Sequence, residues 1–113
     1  MKFKIGEEVK LKESIEIETF DKRKIAVKDG DRGIIVGNII TSNCFIRYIS
    51  GNAKGIIQEL EDVEIEGYDY RNISAMILNR LSTIFGLEDF LENKGIDEEE
   101  IINEMEELLV GIL

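Results

Sequence analysis

The sequence predicts an α+β protein in which a β-rich segment precedes a helical one. Residues 1–66 hold short runs of mostly β-branched residues separated by Gly, Asp, Asn and Ser, a pattern typical of strands joined by turns. Residues 67–113 place apolar residues at steps of three and four, the period of an amphipathic helix. The change of pattern predicts two parts, 1–66 and 67–113.

Seven short segments of the first part have the pattern of strands. They are 8–12, 14–20, 24–28, 33–40, 44–49, 54–60 and 62–66. The first three alternate apolar and polar residues, so each should bury one face. The segments 33–40 and 44–49 are apolar on both faces, so both faces should be covered. In the second of these, Phe45 and Ile49 should point outward if Ile46 and Tyr48 point inward.

The stretch VKDGDRGIIVG, residues 27–37, predicts a tight turn that leads into a strand. Gly30 permits a positive φ, and Asp29 and Asp31 are short polar residues that hydrogen-bond their own backbone in turns. A dinucleotide fingerprint requires G-x-G-x-x-G before a helix and a Walker loop requires G-K-[ST]; this stretch has neither. A catalytic carboxylate pair is the alternative role for the two aspartates, and it would require a cleft in which they converge.

The second part predicts two or three helices. Ile73, Met76/Ile77, Leu81 and Ile84/Phe85 form one apolar stripe, and Gly86 allows a break after it. A short helical segment then ends at Gly95, a residue suited to a left-handed C-cap. Asp97 and Glu100 have the spacing of a capping box, so a further helix should begin there. Its apolar face includes Met105, Leu108 and Leu109.

Composition excludes several classes of function. The chain of 113 residues has no His, the commonest acid–base group and metal ligand. No Ser or Cys has a recognisable activating partner, and Cys44 lies in an apolar run that predicts a small buried thiol. We therefore predict that the protein is not an enzyme and has no catalytic residue, cofactor or metal site.

Charge and cysteine content indicate the environment of the protein. Residues 1–66 carry 11 Lys and Arg against 13 Asp and Glu, whereas residues 67–113 carry 3 against 11. An acidic chain binds nucleic-acid phosphates weakly, so direct nucleic-acid binding is not expected. A single cysteine suits a reducing compartment, and the sequence has neither the apolar core of a signal peptide nor a membrane span. These features predict a cytoplasmic protein.

The first part resembles an SH3-like barrel over residues 3–66. The segments IGEEVKLK, VKDGDRGIIVG, NCFIRYI, KGIIQEL and DVEIE carry the resemblance. Gly6 and Val9 match the Gly-x-x-Val start of that superfamily. Its glycine-rich turn and bent strand are matched by Gly30, Asp31, Gly33, Ile35 and Gly37. The resemblance implies a small barrel of about five or six antiparallel strands. The chain lacks the Trp of peptide-binding SH3 domains and the basic surface of KOW-type modules, so a shared fold implies no function.

Unpartnered apolar residues lead us to expect a protein–protein interaction module, in the form of a small regulatory or accessory protein. The acidic helical appendage should pack on the barrel or on a second subunit, and a homodimer through the helices is one alternative. A nucleic-acid-related protein is the other, acting by weak binding through the basic loop or as an acidic mimic that blocks a DNA-binding protein. The candidate partner-binding residues are Lys22, Arg23, Lys24, Phe45, Arg47, Ile49, Met105, Leu108 and Leu109.

Overall fold

A computed structural model describes residues 1–19, 21–38 and 43–113 of the protein, with the backbone alone at Asn38. Residue 20 of the predicted strand 14–20 and residues 39–40 of the predicted strand 33–40 lie outside this range. The described chain forms eight strands and three helices. The strands are β1 (Lys2–Ile5), β2 (Glu8–Lys10), β3 (Ile15–Glu18), β4 (Lys24–Val27), β5 (Arg32–Asn38), β6 (Asn43–Tyr48), β7 (Ile57–Leu60) and β8 (Glu64–Tyr68). The helices are α1 (Tyr70–Phe85), α2 (Leu87–Lys94) and α3 (Glu98–Ile112).

The chain divides into two compact units, which we call the strand unit (Met1–Tyr68) and the helical unit (Asp69–Leu113). The α+β class is confirmed, with the helices C-terminal to the strands. The packing of the helices on the strand unit or on a second subunit stays a prediction.

The strand unit is built from three open sheets, so the closed barrel of five or six antiparallel strands is wrong. β2, β5, β6 and β7 form a four-stranded antiparallel sheet in that order, and β3 pairs with β4 in a hairpin. The third sheet pairs β1 with β8, and this pair is parallel. Parallel neighbours need a long connection, and here the rest of the strand unit supplies it.

Gly6 separates β1, a strand that the sequence did not predict, from β2, which lies within the predicted strand 8–12. Its φ of 88° interrupts the extended chain between β1 and β2. The Gly6 N–H donates to Ile35 O at 2.8 Å, and the Ile35 N–H donates to Glu7 O at 2.9 Å. The ladder with β5 thus stops near Gly6, and β1 pairs with β8 instead.

The core of the strand unit lies on the inner face of the four-stranded sheet. Ile46 and Tyr48 are buried there with Ile17, Val27 and Ala53. Ile46 and Tyr48 therefore meet the condition under which the sequence predicts an outward Phe45. The hydroxyl of Tyr48 donates to Gln58 Oε1 at 2.6 Å, which satisfies the polar end of the ring. Burial also raises the pKa of Tyr48.

The predicted turn at Gly30 is confirmed. The Asp31 N–H donates to Lys28 O at 3.0 Å, and Gly30, the third residue of this turn, has a φ of 91°. The Asp31 carboxylate accepts the Lys28 N–H at 2.9 Å. β5 begins directly afterwards at Arg32. The positive φ at the third position is the reason that the turn uses glycine.

Replacing Gly30 with alanine is expected to lower the free energy of unfolding by about 1 kcal/mol. A Cβ at this position would meet no atom closer than Lys10 Cε at 4.0 Å, so the cost comes from the backbone angle and not from a clash. Urea denaturation measures the change. The control is Gly111→Ala, since Gly111 lies in a helix with open space around it. Equal stability of Gly30→Ala and the unmodified protein would contradict the turn geometry.

The helical unit has the caps that the sequence predicts at its breaks. Gly86 and Gly95 end α1 and α2 with φ values of 61° and 67°. The Asp97 side chain caps α3 as predicted, but it accepts the Glu99 N–H at 3.0 Å and not the Glu100 N–H that a capping box uses. At the start of α1, Asp69 accepts the Asn72 N–H at 3.0 Å. These local bonds satisfy backbone groups that a helix end leaves unpaired.

α1 and α3 pack against each other in opposite directions. Arg71, near the start of α1, donates to Asn103 Oδ1 at 2.9 Å and to Glu106 Oε2 at 3.2 Å, and it also pairs with Glu99. The Tyr70 hydroxyl reaches Leu113 O at 3.5 Å. Leu78 and Leu91 are the buried apolar residues of the described helices. The unit therefore has a small apolar core for its length.

Candidate protein-interaction surfaces

The outer face of the four-stranded sheet carries an apolar row. Strand register places Val36 opposite Phe45, and Ile34 opposite Arg47, which in turn lies opposite Ile57. Side chains alternate along a strand, so these five residues share the face opposite to buried Ile46 and Tyr48. Phe45 is half-buried, whereas Arg47 and Ile57 are exposed. The structure thus brings two of the predicted partner-binding residues, Phe45 and Arg47, onto one surface.

Ile49 lies beyond the end of β6 and is half-buried. Its N–H donates to Arg32 O at 2.9 Å, which extends the hydrogen-bonding pattern between β5 and β6. Ile49 lies four positions after Phe45, and side chains alternate along a strand, so the sequence predicts that both residues point outward. The role of Ile49 in binding stays a prediction.

A groove of about 660 Å³ runs between the β3–β4 hairpin and β7, and we call it the β7 groove. It is lined by Glu18, Thr19, Asp21, Arg23, Phe45 and residues 55–59. Arg23 and Phe45 were candidates from the sequence, and the structure brings them to one site. Glu18, Asp21, Ile57 and Glu59 were missed. The two glutamates and Ile57 belong to alternating strands, but alternation does not show which strands meet.

Two of the three basic candidates of the loop form ion pairs with neighbouring acids. Arg23 Nε lies 2.7 Å from Asp21 Oδ2, and Lys24 Nζ lies 3.8 Å from Glu16 Oε1. A hydrogen bond from the Thr19 hydroxyl, together with Arg23, lowers the pKa of the exposed Asp21 carboxyl. Lys22, the remaining candidate of the loop, has a positive φ of 61° and is exposed. Lys22 and Lys24 do not line the β7 groove.

The helical unit exposes large apolar side chains around the break between α1 and α2. Phe85 is 67% exposed, and Ile84 and Phe90 are each more than half exposed. Ile77, Leu81, Ile84 and Phe85 lie at helical spacing on one side of α1, and we call them the α1 stripe. The sequence identified this stripe but not which side of α1 is buried, since Ser74 and Leu78 are the buried residues there.

Of the candidates on α3, Leu108 is 63% exposed, whereas Met105 and Leu109 are half-buried. Leu108 and Ile112 line a shallow depression of about 460 Å³ together with acidic Glu104 and Glu107. Acidic side chains thus border the depression, and the helical unit as a whole is acidic.

Asp29, Asp31 and Cys44 are the residues for which the sequence suggested a chemical role. The two aspartates belong to the turn at Gly30, and Cys44 is buried. The Asp31 carboxylate belongs to its turn, and Gly51 packs directly against it. The Asp29 N–H donates to Ser14 Oγ at 3.2 Å. Cys44 is 2% exposed, and burial raises the pKa of its thiol. Over residues 1–19, 21–38 and 43–113, no group of three or more Cys, Asp or Glu side chains could hold a metal ion.

No protein-family model, no curated protein and no solved structure matches the chain. Among the described helices, none has the length and apolar character needed to cross a membrane.

Proposed function

We propose that the protein is a non-enzymatic interaction module, a small regulatory or accessory protein of the cytoplasm. Its helical unit binds an amphipathic helix of a protein partner, which carries Lys or Arg beside its apolar residues. The observation that most supports this proposal is that Phe85 and the rest of the α1 stripe are exposed. Large apolar patches on a folded protein mark binding surfaces.

Charge favours a basic partner over a second copy of the chain. The helical unit carries 3 Lys and Arg against 11 Asp and Glu. Two such units would repel each other, whereas a partner with Lys or Arg beside its apolar residues would gain attraction and faster association. An amphipathic helix that lays its apolar side into a groove or onto a helix pair is a common mode of recognition.

Direct nucleic-acid binding through the basic loop has less support. Arg23 and Lys24 form ion pairs with Asp21 and Glu16, which reduces the positive potential of the loop on which direct binding would depend. The resemblance of residues 3–66 to SH3-like barrels stays a prediction and contributes nothing to the proposal.

A synthetic amphipathic helix of Leu and Lys, about 18 residues long, tests the proposal. Fluorescence anisotropy should show that it binds the full chain, and Phe85→Ser should weaken binding about tenfold because the most exposed aromatic anchor of the α1 stripe is lost. Phe85→Ser does not change the net charge of the protein. A peptide held by charge attraction alone would therefore bind the variant and the unmodified protein equally. Ile15→Ser, at an exposed strand position, is the control and should bind like the unmodified protein.

Two results would contradict this proposal. One is equal binding of a Leu–Glu peptide of the same length, which would remove the role of charge. The other is a dimer of the unmodified chain by light scattering that Phe85→Ser converts to a monomer, since the occupant would then be a second copy.

A further inference from the structure

The free edge of β7 is the feature that carries a second binding site, independent of the helical unit. β7 is the last strand of the four-stranded sheet, and among the described strands it pairs with β6 alone. The β7 groove runs along it. Three consecutive residues of β7, Ile57, Gln58 and Glu59, line this groove, as do Gly55 and Ile56 just before the strand. Only alternate residues would line the face of a strand, so consecutive residues show that the groove follows the edge.

The hydrogen-bonding pattern identifies which backbone groups face the groove. The Tyr48 N–H donates to Ile56 O at 3.0 Å, so Ile56 points its C=O group toward β6. The Ile49 N–H donates to Arg32 O, so odd-numbered residues of β6 serve β5 and even-numbered ones serve β7. In an antiparallel ladder this alternation continues to Gln58 and Leu60. Ile57 and Glu59 therefore direct their N–H and C=O groups away from β6.

The lining of the groove specifies the composition of a ligand. Phe45 and Ile57 offer apolar surface, and Glu18, Asp21 and Glu59 are acidic. Among the described residues of the lining, Arg23 is the one basic residue, and it is paired with Asp21. A second copy of this chain, with a net charge of −10, would bring more acid to an acidic site. The charge complement is a basic segment with apolar side chains.

We propose that the β7 groove binds an extended basic peptide segment, which adds a strand to β7 through the backbone groups of Ile57 and Glu59. Backbone hydrogen bonds supply affinity in this mode, and alternate side chains supply specificity. The segment passes beside the β3–β4 hairpin, where Glu18 and Asp21 attract its Lys or Arg side chains. This site is separate from the α1 stripe and does not depend on the function proposed for that stripe.

A peptide of alternating Val and Lys, about six residues long, is the probe, and the full chain is the target. On binding, NMR should show slower hydrogen exchange at the amides of Ile57 and Glu59, with little change at Gln58 and Leu60. The main control uses two N-methylated forms of the peptide. Each form is methylated on every second backbone nitrogen, so that it loses the N–H groups of one edge of the added strand and keeps those of the other. Methylation of the edge that meets β7 should weaken binding about tenfold, and methylation of the other edge much less.

Charge is tested by a matched pair of protein variants. Glu59→Gln should weaken binding by about threefold, whereas Glu61→Gln, an equal change of charge at an exposed residue outside the groove, should not. Equal affinity of the two methylated peptides, or no binding by the unmethylated peptide, would overturn the proposal. Phe85→Ser should leave this binding intact, so failure here is distinguishable from failure of the helical site.

Discussion

Replacing Ile35 with alanine is expected to lower the free energy of unfolding of the strand unit by about 3 kcal/mol. Ile35 is 0% exposed on the inner face of β5, and its backbone bonds the region around Gly6. Removal of its outer carbons leaves a cavity in a unit with few fully buried residues. Since this unit is small, the midpoint of thermal unfolding should fall by about 15 °C.

Denaturation of the full chain, followed by NMR signals of β5 and β6, measures this loss. The control is Ile15→Ala in β3, where the same side chain is exposed and should cost less than about 1 kcal/mol. Similar losses for the two variants would show that the Ile35 side chain does not belong to the core of the strand unit.

Leu78→Ala is expected to destabilise the helical unit by about 2.5 kcal/mol, whereas Leu81→Ala should cost less than about 1 kcal/mol. The two leucines lie on the same helix, but Leu78 is 6% exposed and Leu81 is 39% exposed. The two variants therefore compare the buried side of α1, which contains Leu78, with the exposed side, which carries the α1 stripe. Helix propensity changes equally in both variants and cancels from the comparison.

Circular dichroism at the helical band, recorded during urea denaturation, follows this unit. A larger loss for Leu81→Ala than for Leu78→Ala would reverse the two sides of α1. The α1 stripe would then be core, and the proposed partner surface would be lost.

Short-range features were predictable because each depends on residues close together in the chain. The turn at Gly30 follows from glycine between two aspartates, and the start of α3 follows from Asp97 before a run of acids. The breaks at Gly86 and Gly95 follow from the conformational freedom of glycine in a helical pattern. In each case the bond that stabilises the feature spans five residues or fewer.

The candidate sites were only partly predictable, because a site joins residues that are distant in sequence. The apolar character of Phe45 and the charge of Arg23 were visible in the sequence. Their meeting in the β7 groove depends on the position of the β3–β4 hairpin relative to β7. In the helical unit the α1 stripe was visible as a pattern, but a pattern does not show whether apolar residues are covered.

The sequence by itself determined the α+β class, the order of strands before helices, the local turns and caps, and the acidic character of the helical unit. Tertiary structure decided that the strands form open sheets, that β1 pairs in parallel with β8, and that Leu78 rather than Leu81 is buried. The physical reason is the range of the interactions. Periodicity and glycine geometry act over a few residues, whereas strand pairing and burial depend on which distant segments gain most by packing together.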